Sequence, residues 1–127
     1  MAVVSTQIPS PPTGLTYVID VALTKTDVLV KNGACTLHQI KITNTGNAST
    51  PFYTAFWDGN DVSNVTHRTN NADLILYCPA ASTQTYVIPA GISFGTGIIM
   101  AGSTDLAATT FTPTNAGNAP TVELLIK

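Results

Sequence analysis

Tyr86–Ser103 reads Tyr-Val-Ile-Pro-Ala-Gly-Ile-Ser-Phe-Gly-Thr-Gly-Ile-Ile-Met-Ala-Gly-Ser, and its apolar runs are broken by one proline and four glycines. Pro89 fixes its own φ and Gly91 can adopt a positive φ, so this stretch predicts a tight corner between two strands, Thr85–Ile88 and Ile92–Met100. Gly95 and Gly97 indicate a bend or bulge. No lysine follows the glycines at the spacing of a phosphate-binding loop, so the stretch predicts a scaffold.

Alternation of apolar and polar residues predicts further strands on both sides of this stretch. They are Thr16–Leu23, Val28–Val30, Cys35–Thr43, Phe52–Trp57, Asp73–Cys78 and Thr121–Lys127. About eight short strands without a helical period predict an all-β fold, an antiparallel β-sandwich or jelly roll. Phe52–Trp57 carries aromatic residues on both faces, so we expect both faces of that strand to be covered.

The first 14 residues are rich in proline, which excludes a helix and makes a poor strand. We therefore expect an extended arm over 1–14 and a single sandwich domain over 15–127. Two interpretations of the arm stay open: a frayed terminus, or a segment that contacts a neighbouring subunit. Its candidate assembly contacts are Val3, Val4, Ile8, Pro9, Pro11 and Pro12.

The composition is 44% hydrophobic and only 9% charged, with 5 Lys plus Arg against 7 Asp plus Glu and a net charge of -2. An average soluble domain has about 25% charged residues. A surface of uncharged polar residues costs little to desolvate, which favours assembly with other subunits. Because the basic residues stand apart, neither nucleic acid nor an anionic membrane surface is an expected partner. The N-terminus lacks signal-peptide features and no apolar run reaches about 20 residues, so we expect synthesis in a cytoplasm.

Few residues could support chemistry. His38, at every second position with Ile40 and Ile42, is predicted to share their face of the strand, which favours a structural histidine on the buried side. His67 lies in a polar loop. Asp58-Gly-Asn-Asp61 offers oxygen ligands, but a calcium loop needs more acidic residues, so a turn is the better interpretation. No motif of a known active site occurs. We expect a non-enzymatic protein without metal or cofactor.

The two cysteines, Cys35 and Cys78, are too far apart in sequence for a metal-binding or redox pair. Two half-buried free thiols are expected, since a reducing cytoplasm is implied. A disulfide between them is the alternative, and it would stabilise the fold by about 4 kcal/mol through loop closure.

Residues 58–72 form the most polar segment of the chain and predict a long loop. Long loops in small domains are commonly functional, so this loop is the second predicted contact surface after the arm. Its candidate contact residues are Asn60, Asp61, His67 and Arg68.

Five sequence features occur together between residues 35 and 127. They are Leu-His-Gln-Ile-Lys-Ile-Thr-Asn-Thr from Leu37, an aromatic strand that ends in Asp58-Gly59, Ile-Pro-Ala-Gly-Ile from Ile88, Phe-Gly-Thr-Gly-Ile from Phe94, and a last strand that ends in Lys127. With these features the chain resembles small β-sandwich structural proteins of tailed-bacteriophage virions.

The resemblance implies a cement or decoration protein, made in the cytoplasm of a bacterial host and located on the outer capsid surface of the virion. It implies the major capsid protein as partner and a homo-oligomer, most often a homotrimer. It carries over no catalytic residue. Two other functions stay open: a tail or fibre module that binds carbohydrate through Tyr53, Trp57 and the 58–72 loop, and a neck or tail connector. Exposed aromatic rings would favour the carbohydrate module, and buried rings would count against it.

Overall fold

The computed structural model describes the backbone of residues 3–7, 16–20, 22–64, 72–106, 111–112 and 115–127, and the side chains of 22–63, 72–105 and 115–127. These ranges contain strands and one single-turn 3-10 helix, Val62–Asn64. The strands are β1 (Val3–Gln7), β2 (Thr16–Asp20), β3 (Val28–Asn32), β4 (Cys35–Thr43), β5 (Phe52–Asp58), β6 (Leu74–Cys78), β7 (Thr83–Phe94), β8 (Gly97–Ser103), β9 (Asp105–Leu106), β10 (Phe111–Thr112) and β11 (Thr121–Ile126).

The strands form two main antiparallel sheets. Sheet I has the order β1-β2-β11-β4-β7, and sheet II has the order β3-β8-β5-β6. The short strands β9 and β10 pair with each other as a separate antiparallel hairpin. The prediction of an all-β antiparallel fold is confirmed.

A single buried cluster joins the two sheets. Sheet I contributes Leu37, Ile40, Ile42, Val122, Leu124 and Ile126, and sheet II contributes Phe52, Phe56, Cys78, Ile98 and Met100. All of these side chains are at most 2% exposed. The inner faces of the sheets therefore pack on each other, and burial of this apolar surface stabilises the fold at roughly 25 cal/mol per Å².

Strand β5 is buried on both faces, as predicted. Phe52 and Phe56 point into the core between the sheets. Ala55 and Trp57 point to the other face of sheet II, where they form a second buried cluster with two β8 residues, Ile99 and Ala101.

The predicted corner at Pro89–Gly91 is wrong, because these residues lie inside the single strand β7. Leu37 of β4 pairs with Ile92, while Gln39 pairs with Val87, so β7 carries a bulge between those two pairs. A proline is tolerated there because β7 is an edge strand, where the missing N–H breaks no ladder bond. Gly91, with φ of 78°, provides the left-handed conformation that the bulge requires.

The corner lies instead at Gly95–Gly97, where the chain leaves sheet I and enters sheet II. The Asp58 carboxylate at the end of β5 accepts hydrogen bonds from the backbone N–H groups of Gly95 at 2.9 Å, Thr96 at 2.8 Å and Gly97 at 3.3 Å. These bonds attach the corner between the sheets to sheet II.

Part of the predicted arm is described by the structure. Val3–Gln7 is β1, an edge strand of sheet I that pairs antiparallel with β2 of the same chain, so the prediction of a poor strand is wrong for these five residues. The side chains of Val3 and Val4 lie outside the described residues, and so do Ile8, Pro9, Pro11 and Pro12 entirely. The domain boundary after residue 14 and the role of the arm stay predictions.

Candidate assembly surface

The loop residues predicted as contacts form hydrogen bonds within the chain where the structure describes them. Asn60 is exposed and its side-chain amide donates to Asn32 Oδ1 at 3.3 Å. Asp61 Oδ1 accepts from the Ser63 hydroxyl at 2.7 Å and from the Ser63 backbone N–H at 3.0 Å, which lowers the pKa of Asp61. The bonds between Asp61 and Ser63 are typical of a turn, whereas the bond from Asn60 joins the loop to the end of β3. His67 and Arg68 lie outside the described residues.

His38 is not on the buried face of β4. Leu37 pairs with Ile126 of β11, and Gln39 pairs with the adjacent Leu125, so β4 has a bulge at His38. The residues of β4 that face the core are odd-numbered before the bulge and even-numbered after it. The prediction that His38 shares a face with the buried isoleucines is therefore wrong, because a bulge reverses the alternation of side chains. His38 is half-buried.

An open cavity of about 610 Å³ lies beside His38, and Cys35 and Ser93 also line it. Burial raises the pKa of the Cys35 thiol, and nearby Lys31 offsets this in part. A thiol with a raised pKa is mainly protonated at neutral pH and is a weak nucleophile. The arrangement therefore does not activate the nucleophile that this cavity offers. Among the residues that the structure describes, no group of three or more His, Cys, Asp or Glu side chains could hold a metal ion.

Both cysteines are free, as predicted, and both are buried, whereas the prediction is half-buried thiols. Cys35 begins β4, whereas the Cys78 thiol contacts the carbonyl oxygen of Ile42 near the other end of that strand, at 3.5 Å. The extended length of β4 separates the two thiols, so a disulfide cannot form in this fold.

The aromatic residues of sheet II do not form the open platform that carbohydrate recognition requires. Trp57 is only 4% exposed. Tyr53 is half-buried, and its ring packs against Tyr77 with centroids 5.4 Å apart. Of these rings, only Tyr77 is substantially exposed, at 45%. The burial of Trp57 counts against the carbohydrate-binding module.

The sheet edges differ in how they are protected against pairing with another chain. An unpaired edge strand is a template for a further strand, and charged residues or covering groups normally block it. Edge strand β3 carries Lys31. On edge strand β6, the Tyr77 carbonyl oxygen accepts a hydrogen bond from the Tyr86 hydroxyl at 2.5 Å.

Among the residues that the structure describes, none protects edge strand β7 in either way along its first half. It contains no charged residue, and Val87 is 64% exposed, the largest exposed fraction among the large hydrophobic side chains that the structure describes. We call the unpaired side of residues 83–88 the β7 edge. The β7 edge could not be predicted from sequence, because the alternation in this strand indicates a face toward the core but not the order of strands in the sheet.

The backbone groups that point outward from the β7 edge follow from one hydrogen bond. The Asn44 N–H donates to the Ser82 carbonyl oxygen at 2.8 Å, so Ser82 directs its backbone groups toward β4. Direction alternates along a strand, and therefore Thr83, Thr85 and Val87 direct their N–H and C=O groups away from β4. The side chains of these three residues are also exposed.

The described ranges contain no helix with the length and hydropathy needed to cross a membrane. Comparison of the chain with models of protein families, with curated proteins and with solved structures finds no match.

Proposed function

We propose that the chain is a non-enzymatic structural protein of a bacteriophage virion, which binds and stabilises the outer capsid surface. The observation that carries the proposal is the strand order, β2-β11-β4-β7 in sheet I against β3-β8-β5-β6 in sheet II. When these eight strands are followed in chain order, the connection from β5 to β6 stays within sheet II, and each of the others crosses from one sheet to the other. The β9–β10 hairpin lies within the connection from β8 to β11. This connectivity is that of a jelly roll, an architecture used by viral capsid, lectin and cupin domains.

The low charge of the chain and the unpaired β7 edge support an assembly role more than a chemical one. Only 9% of residues are charged, so neighbouring subunits can cover the surface at a small desolvation cost. The β7 edge offers backbone groups to another chain. The proposed partner is the major capsid protein, and the proposed oligomer is a homotrimer. The arm over 1–14 lies across a neighbouring subunit or the major capsid protein.

The first test is the location of the chain on purified particles of the virus that encodes it. We expect mass spectrometry to detect the chain in those particles and immunogold labelling to mark the capsid surface. Label confined to the tail or neck would replace this proposal with the connector function. Absence of the chain from purified particles would overturn a virion role.

The second test uses capsids that lack the chain, to which the purified protein is added back. Deletion of residues 1–14 should abolish cosedimentation with the capsids, because it removes the proposed contact. The deletion also removes β1, so circular dichroism must first show that the remaining sheets are folded. Full binding by a folded truncated chain would exclude a role for the arm.

A further inference from the structure

We propose that the β7 edge is a self-pairing strand, through which two copies of the chain join antiparallel about a two-fold axis at Thr85. The two copies of sheet I then form one continuous sheet across the contact. The proposal concerns the free chain in solution and does not depend on a location in a virion.

The β7 edge has backbone groups that the described fold does not use. Thr83, Thr85 and Val87 direct their N–H and C=O groups away from β4, and no other described residue pairs with them. An extended backbone is the ligand that matches such a row of alternating donors and acceptors. The occupant of this edge is therefore a β-strand.

The β7 edge is complementary to a second copy of itself. In antiparallel pairing about Thr85, that residue lies opposite its own copy and Thr83 lies opposite Val87. Every outward N–H and C=O of these three residues then has a partner. The facing side chains are β-branched and uncharged, which favours cross-strand pairing and produces no repulsion between the two copies.

The β7 edge is short. Pro89 lacks an N–H, and the bulge around it bends β7, so regular pairing ends before this residue. A short segment centred on Thr85 is therefore available, and a two-fold axis there uses it fully. The same strand serves both copies, as an isologous contact requires. This contact differs from any contact made by the arm, so it doubles whatever unit the arm forms.

The first experiment compares Thr85→Pro with Gln84→Pro by light scattering after gel filtration. Proline at 85 removes an outward N–H that the fold does not use, whereas proline at 84 removes an N–H that faces β4. We expect Thr85→Pro to stay folded and to have half the wild-type mass. Gln84→Pro should instead lower the unfolding temperature. An unchanged mass for folded Thr85→Pro would overturn the proposal.

The second experiment uses charge reversal across the axis. Thr85→Lys and Thr85→Glu each place like charges opposite each other, so each variant alone should have half the wild-type mass. An equimolar mixture should recover the wild-type mass, since opposite charges then face each other. Thr45→Lys, in the exposed loop after β4, is the control and should leave the mass unchanged. A wild-type mass in both single variants, or no recovery in the mixture, would contradict two-fold pairing at Thr85.

Discussion

The side-chain amide of Asn47 donates a hydrogen bond of 2.7 Å to Asn44 Oδ1 in a buried network that joins three loops. Asn44 also donates to the carbonyl oxygens of Thr50 at 2.9 Å and Pro79 at 3.2 Å. Asn47 is bonded to the backbone of Asn118, as donor at 2.6 Å and as acceptor at 3.0 Å. The loops before β5, β7 and β11 are thereby tied together at one end of the sandwich.

Replacement of Asn47 by alanine should destabilise the fold by about 1–3 kcal/mol, because the buried Asn44 Oδ1 and the partly buried backbone groups of Asn118 lose their hydrogen bonds. Urea unfolding measures the change. The matched control is Asn60→Ala, whose exposed side-chain bond to Asn32 should contribute less than about 0.5 kcal/mol. Equal effects of the two substitutions would mean that the network does not hold the loops.

Periodicity in the sequence was sufficient to predict the strands of the core, since Phe52–Trp57 and Cys35–Thr43 appear almost unchanged as β5 and β4. It failed where strands are irregular. A bulge at His38 reverses the alternation, and nothing in the local sequence marks it. Pro89 and Gly91 are as compatible with a corner between two strands as with a bulge in one edge strand. The pairing of β7 with β4 decides between these two structures.

For the β7 edge, the sequence predicts the composition but not the position in the sheet. The absence of charge from Thr83–Phe94 is visible in the sequence, but its consequence depends on β7 being an edge strand, which is a property of long-range pairing. The same limit applies to Trp57. An aromatic residue on the second face of a strand can be exposed or covered, and the structure shows it buried.

Acid should weaken the corner between the sheets. Hydrogen bonds from the backbone of Gly95, Thr96 and Gly97 hold the pKa of Asp58 below its ordinary value. Because the folded-state pKa is the lower one, the stabilisation is complete above the unfolded-state value of about 3.9 and is lost as the pH falls through the folded-state value. Unfolding temperatures measured from pH 7 to pH 2 should fall steeply at the acidic end.

Asp58→Asn should flatten this acidic decline, since it removes the titrating group. Asp61→Asn is the control, because the two hydrogen bonds that Ser63 donates to the Asp61 carboxylate lie within one turn, whereas the bonds to Asp58 join β5 to the corner. The control should change the acidic decline less than Asp58→Asn does. An identical profile for wild type and Asp58→Asn would exclude this role for Asp58.

Gly97 should not tolerate a side chain, although its neighbour Gly95 should. A Cβ at Gly97 would lie well inside contact distance of the carbonyl oxygens of Lys31 and Gly59, which are backbone atoms that cannot rotate away. A Cβ at Gly95 would meet only Asp58 Oδ2, at an ordinary distance of 3.6 Å. We expect Gly97→Ala to cost about 1–3 kcal/mol in the free energy of unfolding. Gly95→Ala should stay within about 0.5 kcal/mol of wild type, and a larger loss at Gly95 than at Gly97 would contradict this geometry.

The hydroxyl of Thr54 should be a source of instability within the core. Thr54 is 0% exposed on β5, and its Oγ1 has no hydrogen-bond partner among the described residues. Burial of a hydroxyl without a partner costs about 1–3 kcal/mol, and valine has the same shape without that group. Thr54→Val should therefore raise the free energy of unfolding by about 1 kcal/mol.

The contrasting position is Ser103 on β8, which is equally buried but bonded to Asp105. Its hydroxyl donates to the Asp105 carbonyl oxygen at 2.8 Å and accepts from the Asp105 N–H at 3.0 Å. Ser103→Ala should lower the free energy of unfolding by about 1–2 kcal/mol, because that N–H loses its acceptor. Opposite signs at the two positions, measured by urea unfolding, would attribute the difference to hydrogen bonding and not to burial. If Thr54→Val destabilised the fold as Ser103→Ala does, the Thr54 hydroxyl would have to possess a partner in solution.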